Sequence, residues 1–202
     1  MYVGAQAKAR PDQAAIIMAG SGETLTYAEL DRRSNRLAHY LRGAGLSRLD
    51  HYSIFLENHP RYIEACAAGE RSGLYYTCVN SYLGGEEVAY LLENSCSRVL
   101  ITSAAKMGLA AEALAAAPGV ERCLVVDGPG DGARVQNLDD ATGNLPITPI
   151  TDEYLGTAML YSSGTTGRPK GIIRPLPERP PSQEVQIFLS VTGRDAAVRP
   201  RQ

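Results

Sequence analysis

Short apolar runs alternate with longer segments of helical periodicity along most of the chain, and glycine or proline separates many of them. Apolar runs of about four to eight residues between turn residues are typical of strands, and apolar positions spaced three or four apart are typical of helices. The predicted strands are 14–19, 53–56, 74–79, 98–102 and 122–126, with a brief extended segment at 24–25. The predicted helices after the first long one are 60–71, 86–93 and 103–117.

The first long helix begins at a capping sequence. Thr26 is followed three residues later by Glu29, which predicts a capping box in which each side chain satisfies the other residue's backbone N–H. Leu30, Leu37 and Leu41 then recur on one face of the helix. We therefore expect an amphipathic helix that packs this leucine face against a sheet.

Strands and helices that alternate in this way predict an α/β fold, with a largely parallel sheet and flanking helices. Right-handed crossovers place the carboxyl ends of parallel strands at one edge, where ligands of open α/β sheets bind. Residues 127–153 are predicted to form a polar loop. Asp139 and Asp140 could be read as paired catalytic carboxylates, but we favour a solvated loop in which one of them caps a short helix.

Composition narrows the class of protein. The chain has 202 residues, of which 44% are hydrophobic and 21% charged, and this is ordinary for one globular domain. A net charge of -2 with no basic run gives no general attraction for nucleic acid. No apolar stretch is long enough to cross a bilayer, and the first ten residues lack the apolar core of a signal peptide. We expect a cytoplasmic protein.

The cysteines and histidines do not have the spacing of metal ligands. They are Cys66, Cys78, Cys96, Cys123, His39, His51 and His59. Each cysteine lies among apolar neighbours, which favours buried free thiols over a disulfide framework or a metal site. His59 precedes Pro60 at a predicted helix start, so a loop or capping role is favoured over catalysis. The sequence predicts no closed metal site.

Residues 161–171 carry the most informative pattern. They read Tyr-Ser-Ser-Gly-Thr-Thr-Gly-Arg-Pro-Lys-Gly and lie between two apolar segments, 158–160 and 172–173. Glycines let successive N–H groups converge on an anion, hydroxyl groups add donors, and the lysine adds a positive charge. The segment does not fit the Walker pattern, because Gly171 follows the lysine. It predicts a polyphosphate-binding loop between two strands.

This segment resembles the phosphate-binding signature of the acyl-CoA synthetases and the adenylate-forming superfamily, particularly fatty-acid–CoA ligases. Nearly every position agrees, which favours the signature over a solvated Gly/Ser/Thr linker. Family landmarks also occur upstream in the expected order, so the resemblance covers roughly residues 10–175. These landmarks are 25–30 (Leu-Thr-Tyr-Ala-Glu-Leu), 57–60 (Glu-Asn-His-Pro), 73–77, 86–91 and 99–102.

The resemblance implies ATP-dependent activation of a carboxylic acid, such as a fatty acid, to an acyl-adenylate, and transfer of the acyl group to coenzyme A. It implies ATP, Mg²⁺ and coenzyme A as cofactors, and an ATP-phosphate site in the loop. The implied hydroxyl donors are Ser162, Ser163, Thr165 and Thr166, the backbone donors are Gly164 and Gly167, and the countercharge is Lys170.

In the family, most of the acyl pocket, the adenine-binding segment, a metal-binding glutamate and a lysine-bearing C-terminal domain lie beyond the phosphate loop. No such motif follows Gly171 here. We therefore assign 1–174 to an incomplete N-terminal AMP-binding domain with no catalytic residue. The segment 175–202 is assigned to a proline-rich, disordered tail, although the apolar run 186–191 is compatible with one more strand.

Three functions follow from these observations. The first is the N-terminal portion of an ATP-dependent acyl-CoA ligase, inactive by itself. The second is a non-catalytic, truncated remnant or interaction module, and the third is an unrelated nucleotide-binding protein. An incomplete sheet would expose unpaired edges and apolar faces, so we also expect association with another chain through these edges.

Overall fold

The computed structural model describes residues 2–162 and 167–181. The helices are α1 (Val3–Ala9), α2 (Tyr27–Gly43), α3 (Pro60–Ser72), α4 (Gly85–Asn94), α5 (Met107–Ala116) and α6 (Leu138–Thr142). The strands are β1 (Ala14–Ile17), β2 (Thr24–Thr26), β3 (His51–Phe55), β4 (Tyr75–Cys78), β5 (Ser97–Ser103), β6 (Arg122–Val126), β7 (Val135–Asn137), β8 (Thr157–Ser162) and β9 (Lys170–Ile172).

Within the described residues, seven strands form one sheet in the order β7-β6-β5-β3-β4-β8-β9. All neighbouring pairs in this sheet are parallel except β8 and β9, which are antiparallel. The strands β1 and β2 form a separate antiparallel pair. The predicted α/β class, with a largely parallel sheet and flanking helices, is confirmed.

Both faces of the sheet are covered. Tyr52 and Ile54 of β3 join a core with Leu37 of α2, whereas Phe55 joins a second core with Leu92 of α4. This alternation follows from the two-residue period of a strand. Because helices cover both faces, the central strands are apolar on both sides and appear in the sequence as continuous apolar runs.

Two helix starts agree with their predicted caps, one of them only in part. The Thr26 hydroxyl accepts the Glu29 N–H at 3.2 Å. The Glu29 carboxylate binds the Nε of Arg33 at 2.6 Å, and among the described residues it accepts no hydrogen bond from the Thr26 N–H, so the reciprocal half of the predicted capping box is not formed. His59 caps α3, because its Nδ1 accepts the Arg61 N–H at 3.1 Å. The predicted capping role of His59 is confirmed.

The predicted polar loop at 127–153 is wrong in its middle, which contains β7 and α6. These elements are too short to produce a periodic pattern, and β7 is defined by its pairing with β6. The residue that caps α6 is Asn137, whose side chain accepts the Asp140 N–H at 3.0 Å. Asp139 and Asp140 lie in the first turn instead, and Asp139 binds Arg61 across the surface.

The four cysteines are free, as expected, but they are not uniformly buried. Cys123 is buried and Cys66 is half-buried, whereas Cys78 and Cys96 are exposed. Cys78 ends β4, and Cys96 lies in a turn with φ of 53°. Apolar neighbours in the sequence therefore did not predict burial at strand ends and turns.

The segment that follows β9 contacts the body of the protein. Leu176 is buried, its carbonyl accepts the Nη2 of Arg48 at 2.8 Å, and the Leu155 N–H donates to the Arg179 carbonyl at 3.0 Å. Residues 175–181, which the sequence assigns to a disordered tail, therefore pack against the body of the protein. The rest of that tail, with the candidate strand at 186–191, lies outside the described residues.

Candidate functional site

The predicted phosphate loop joins two adjacent strands. β8 and β9 pair in register, with Ser162 opposite Lys170 and Leu160 opposite Ile172. Ser163, Gly164, Thr165 and Thr166 lie outside the described residues. The strand-loop-strand context that the sequence predicts is therefore present, and it brings the lysine next to the first hydroxyl residue of the loop.

The hairpin is positioned by the parallel sheet. β8 pairs with β4, with Thr77 opposite Met159, so β8 runs in the same direction as the four strands β3 to β6. Its carboxyl end therefore carries the loop to the sheet edge at which ligands of α/β folds bind. This placement is what a phosphate site requires.

The described part of the loop presents exposed donors. Ser162, Gly167 and Lys170 are all exposed. Gly167 has φ of 129°, a conformation that L side chains rarely adopt, which accounts for glycine at this position. Within 2–162 and 167–181, no carboxylate forms an ion pair with Lys170. The ammonium group is therefore available to an external anion.

Helix α4 holds both stems of the loop. The Tyr90 hydroxyl donates to the Pro169 carbonyl at 2.9 Å, and the Arg168 guanidinium lies 5.0 Å from the centre of the Tyr90 ring. On the other stem, the Tyr161 hydroxyl donates to Asn94 Oδ1 at 2.8 Å. Burial raises the pKa of Tyr161 to about 12, so this hydroxyl keeps its proton at neutral pH.

Sequence reasoning missed Tyr90 and Asn94. They precede the loop by about seventy positions, and their sequence neighbourhood predicts only an amphipathic helix. Arg168 is exposed, and its guanidinium also stacks on Tyr90. The contacts therefore depend on the packing of α4 beside β8, which one sequence does not display.

A shallow groove of about 270 Å³ lies between α4 and the loop exit. Its lining residues are Leu83, Glu86, Glu87, Tyr90, Leu91, Arg168 and Pro169. The two glutamates begin α4 and would repel phosphate oxygens. These acidic side chains make the groove unsuited to a polyphosphate.

A second polar cluster lies after the central strands. The Ser103 hydroxyl donates to the Glu57 carboxylate at 2.7 Å, and His59 Nε2 lies 2.9 Å from Asp127 Oδ2. Both ring nitrogens of His59 are thus engaged, because Nδ1 accepts a backbone N–H. The cluster ties the loops after β3, β5 and β6 together, which is a structural role at the ligand-binding edge.

The described residues suit a phosphate group but provide no recognisable magnesium site. An exposed lysine beside a serine hydroxyl suits phosphate oxygens. Among residues 2–162 and 167–181, no group of three or more His, Cys, Asp or Glu side chains is arranged to hold a metal ion, so we assign no Mg²⁺ ligand. In the same ranges, no helix is both long and apolar enough to span a membrane.

Comparison with known proteins agrees with the predicted fold and family. The chain is 35% identical over 153 residues to the fatty acid–[acyl-carrier-protein] ligase ScoC of Streptomyces coeruleorubidus, and 36% identical over 164 residues to a feruloyl-CoA synthase of an Amycolatopsis species. These matches cover 75% and 81% of this chain. They cover 28% and 31% of the relatives, so the chain spans about a third of their length.

A solved structure shares the fold. The anthranilate CoA ligase AuaEII, in complex with anthranoyl-AMP, superposes with a TM-score of 0.74 at 21% identity, over 85% of this chain and 33% of that one. The family model described as AMP-binding enzyme matches residues 3–175, which include the whole sheet and the loop hairpin. The chain therefore belongs to the AMP-binding enzyme family.

Proposed function

We propose that this chain is the N-terminal, phosphate-binding portion of an ATP-dependent ligase that activates a carboxylic acid and transfers it to coenzyme A. The observation that carries the proposal is the β8–β9 hairpin, which brings the exposed Lys170 beside Ser162 at the carboxyl edge of the sheet. The relatives support the reaction class, because an acid ligase and an acyl-CoA synthase are among them.

The loop binds the β- and γ-phosphates of ATP in this proposal. Lys170 offsets the charge that accumulates on the departing pyrophosphate, and the Ser162 hydroxyl and Gly167 N–H donate hydrogen bonds to phosphate oxygens. The tyrosines on the stems keep the two strand ends together, which reduces the entropy lost when the anion is bound. Ser163, Gly164, Thr165 and Thr166 are assigned the same role from the resemblance alone.

The acid and the remaining ligands are identified only by class. The relatives act on a fatty acid and on ferulate, which share a carboxylate but differ in the group attached to it. We therefore propose a carboxylic acid and keep a fatty acid as one member of that class. Mg²⁺ would accompany ATP when it is bound, and a cytoplasmic location stays a prediction.

We expect a protein made of these 202 residues alone to bind ATP through its phosphates only. A charge-assisted hydrogen bond contributes about 1.5–3 kcal/mol, and a few of these must offset the cost of ordering loop and ligand. Tripolyphosphate and ATP should therefore bind within about threefold of each other, with millimolar dissociation constants. Amide shifts of Gly167 and Gly171 in NMR titrations measure this, and much tighter binding of ATP would contradict it.

Lys170→Ala tests the site within that titration. Loss of one charge-assisted contact should weaken tripolyphosphate binding about tenfold. The matched control is Arg168→Ala, which removes the same charge two residues earlier, from a side chain that faces Tyr90. Equal weakening by the two substitutions would indicate a general charge effect and would count against the proposed site.

We also expect no acid-dependent exchange of radiolabelled pyrophosphate into ATP by the 202-residue protein. Acyl-adenylate formation requires the carboxylate to be aligned with the α-phosphate, and no residue of this chain is assigned to either group. The assay is run with a fatty acid and with ferulate at saturating ATP and magnesium. Exchange above the no-acid control with either acid would show that the chain is a complete activating unit.

A non-catalytic interaction module is the second candidate. Leu160 and Ile172 are 47% and 48% exposed and lie opposite each other on the β8–β9 hairpin, and Ile173, 53% exposed, directly follows β9. Unpaired edges with exposed apolar side chains are sites of strand addition. We propose that this edge associates with another polypeptide segment, and gel filtration of Ile172→Lys beside the unchanged protein distinguishes association from a monomer.

A further inference from the structure

A small cavity lies beside β7, which in the described sheet is the strand farthest from β9. The cavity is bounded by the end of α2, by α6 and by the strands β6 and β7, and its volume is about 240 Å³. The β8–β9 hairpin lies at the opposite end of the sheet. The proposed phosphate site therefore uses none of the residues that line this cavity.

The strand period places two polar side chains on the face of the sheet that α2 and α6 cover. Arg122 precedes Leu124 by two positions in β6, and Leu124 is buried in the core with the leucines of α2. Alternate residues of a strand share a face, so Arg122 lies on the same face as Leu124. Gln136 of β7 is opposite Leu124 in the parallel pairing and lies on this face as well. Arg122 and Gln136 both line the cavity.

A hydrogen bond from α2 orients the Gln136 amide. The Tyr40 hydroxyl donates to Gln136 Oε1 at 2.5 Å. Burial raises the pKa of Tyr40, so this hydroxyl keeps its proton at neutral pH. The amide oxygen is thus engaged, whereas Nε2 donates to no acceptor in the part of the chain that the structure describes. The N–H groups of Nε2 are therefore available to a ligand.

The Arg122 guanidinium keeps one edge free. Its Nη1 donates to the Ala133 carbonyl at 3.3 Å. Over residues 2–162 and 167–181, Nε and Nη2 donate to no protein acceptor, and no carboxylate forms an ion pair with this side chain. The Nε and Nη2 donors form a planar fork that matches the two oxygens of a carboxylate.

The lining of this cavity carries no negative charge, because none of the described residues that line it is acidic. Three other cavities of the protein each have at least two acidic residues in their lining. The carboxylates closest to the cavity in sequence are engaged elsewhere. Glu121 binds Arg98 at 2.8 Å, and Asp131 accepts the N–H groups of Ala133 and Val135. The cavity is therefore suited to an anion.

The remaining wall of the cavity is apolar. Ala44, Ala141 and Leu145 are half-buried lining residues, and the two alanines pack against the main core. Sites for drug-sized ligands have volumes of roughly 300–1,000 Å³, so a cavity of about 240 Å³ suits a smaller molecule. An apolar wall beside a guanidinium favours an anion that carries a compact apolar group, such as one ring or a short chain.

We propose that this cavity is a binding site for a small monocarboxylate. The Nε and Nη2 of Arg122 donate to the two carboxylate oxygens, and Gln136 Nε2 adds a third hydrogen bond. The apolar wall covers the ring or chain of the acid. Binding is non-covalent and does not depend on the phosphate loop at the other end of the sheet.

The test is an NMR titration of the full 202-residue protein with benzoate at neutral pH and constant ionic strength. The amides of Gly43, Ala44 and Ala141 should shift and saturate with a millimolar dissociation constant. At these amides, benzamide and inorganic phosphate should bind at least about tenfold more weakly, because one lacks the charge and the other lacks the apolar group. Equal binding of either compound, shifts that do not saturate, or shifts confined to Gly167 and Gly171 of the loop hairpin overturn the proposal.

Two substitutions separate the charge from the cavity. Arg122→Gln should weaken benzoate binding at least about tenfold, whereas the control Arg32→Gln removes a charge from an exposed side chain of α2 and should change it less than about twofold. Gly43→Leu keeps Arg122 and enlarges a lining side chain, and it should weaken binding by at least about tenfold.

The Gly43→Leu variant should fold, because a Cβ at Gly43 meets nothing within 4 Å. Equal weakening by the two arginine substitutions would indicate a general charge effect and overturns the site. Unchanged benzoate binding by folded Gly43→Leu overturns it as well. The comparison of benzoate with benzamide uses the unchanged protein and requires no variant to fold.

Discussion

Replacing Gly156 with alanine is expected to abolish stable folding. A Cβ built at this position overlaps the carbonyl oxygen of Gly69 and lies 2.5 Å from that of Leu74. Both obstacles are backbone atoms, and the Gly156 N–H is held by the Glu70 carbonyl at 2.9 Å, so neither side can move without loss of hydrogen bonds. We expect a loss of at least about 3 kcal/mol, a large share of the stability of an ordinary domain.

Gly108→Ala is the matched control for this substitution. A Cβ at Gly108 meets nothing within 4 Å, and the residue lies in the first turn of α5. Alanine in a helix is favoured over glycine by up to about 1 kcal/mol, so this variant should unfold at the same or a higher urea concentration. Circular dichroism in urea measures both variants, and an unchanged midpoint for Gly156→Ala would contradict the close approach of the three backbone segments.

Arg71→Met is expected to cost about 3–5 kcal/mol, because it removes one partner of a buried charge network. The Arg71 side chain is 1% exposed, and its Nη2 lies 2.6 Å from Asp31 Oδ1. Its Nε lies 3.4 Å from Glu153 Oε1, and the guanidinium lies 5.6 Å from the centre of the Tyr2 ring. Methionine fills most of the volume, so the lost free energy of unfolding reports Asp31 and Glu153 left without their countercharge, although each keeps a hydrogen-bond donor, Asn35 and Tyr2 respectively.

Arg32→Met is the control, because Arg32 is 49% exposed and its ion pair with Glu29 should contribute less than about 1 kcal/mol.

The free energy of unfolding that Arg71→Met loses should also depend on pH. Burial raises the pKa of Glu153 above its usual 4.5, and losing Arg71 raises it further. When a carboxyl has a higher pKa in the folded state than in the unfolded state, its protonated form stabilises the fold. The Arg71→Met variant should therefore lose little stability below about pH 4.5 and progressively more as the pH rises and Glu153 ionises. Urea unfolding at several pH values measures this difference in free energy between Arg71→Met and the unchanged protein. A difference that stays constant with pH would contradict the ionisation of Glu153 as its cause.

Long, regular elements could be predicted from the sequence, whereas elements defined by their partners could not. The strand predicted at 122–126 matches β6, because a fully buried parallel strand is a continuous apolar run. The helix predicted at 60–71 differs from α3 by one residue, since Pro60 and Gly73 mark its ends. β7 and α1 are three and seven residues long, and neither repeats its pattern often enough to be recognised.

The candidate site likewise has a part that the sequence predicts and a part that depends on packing. The phosphate loop could be predicted from residue identity alone. Its glycines allow the backbone to turn, its hydroxyl groups donate hydrogen bonds, and its lysine supplies a positive charge, and each of these properties belongs to the residue itself. The hydrogen bonds of Tyr90 and Asn94 with the loop stems depend on which helix lies beside β8. The order of strands in the sheet determines the neighbouring helix.

The strand order also determines the order in which the protein can assemble. β3, the first strand of the main sheet to be synthesised, lies between β4 and β5, which come next, and β6 and β7 then extend one side in chain order. Among the described parallel strands, β8 is the one that follows β7 in the chain but pairs with β4 on the other side of β3. Its pairing therefore joins residues that are far apart in the chain, such as Thr77 and Met159, and closes a long loop. During synthesis, the body can thus form before the loop-bearing strand docks, and until it docks the free edge of β4 stays exposed.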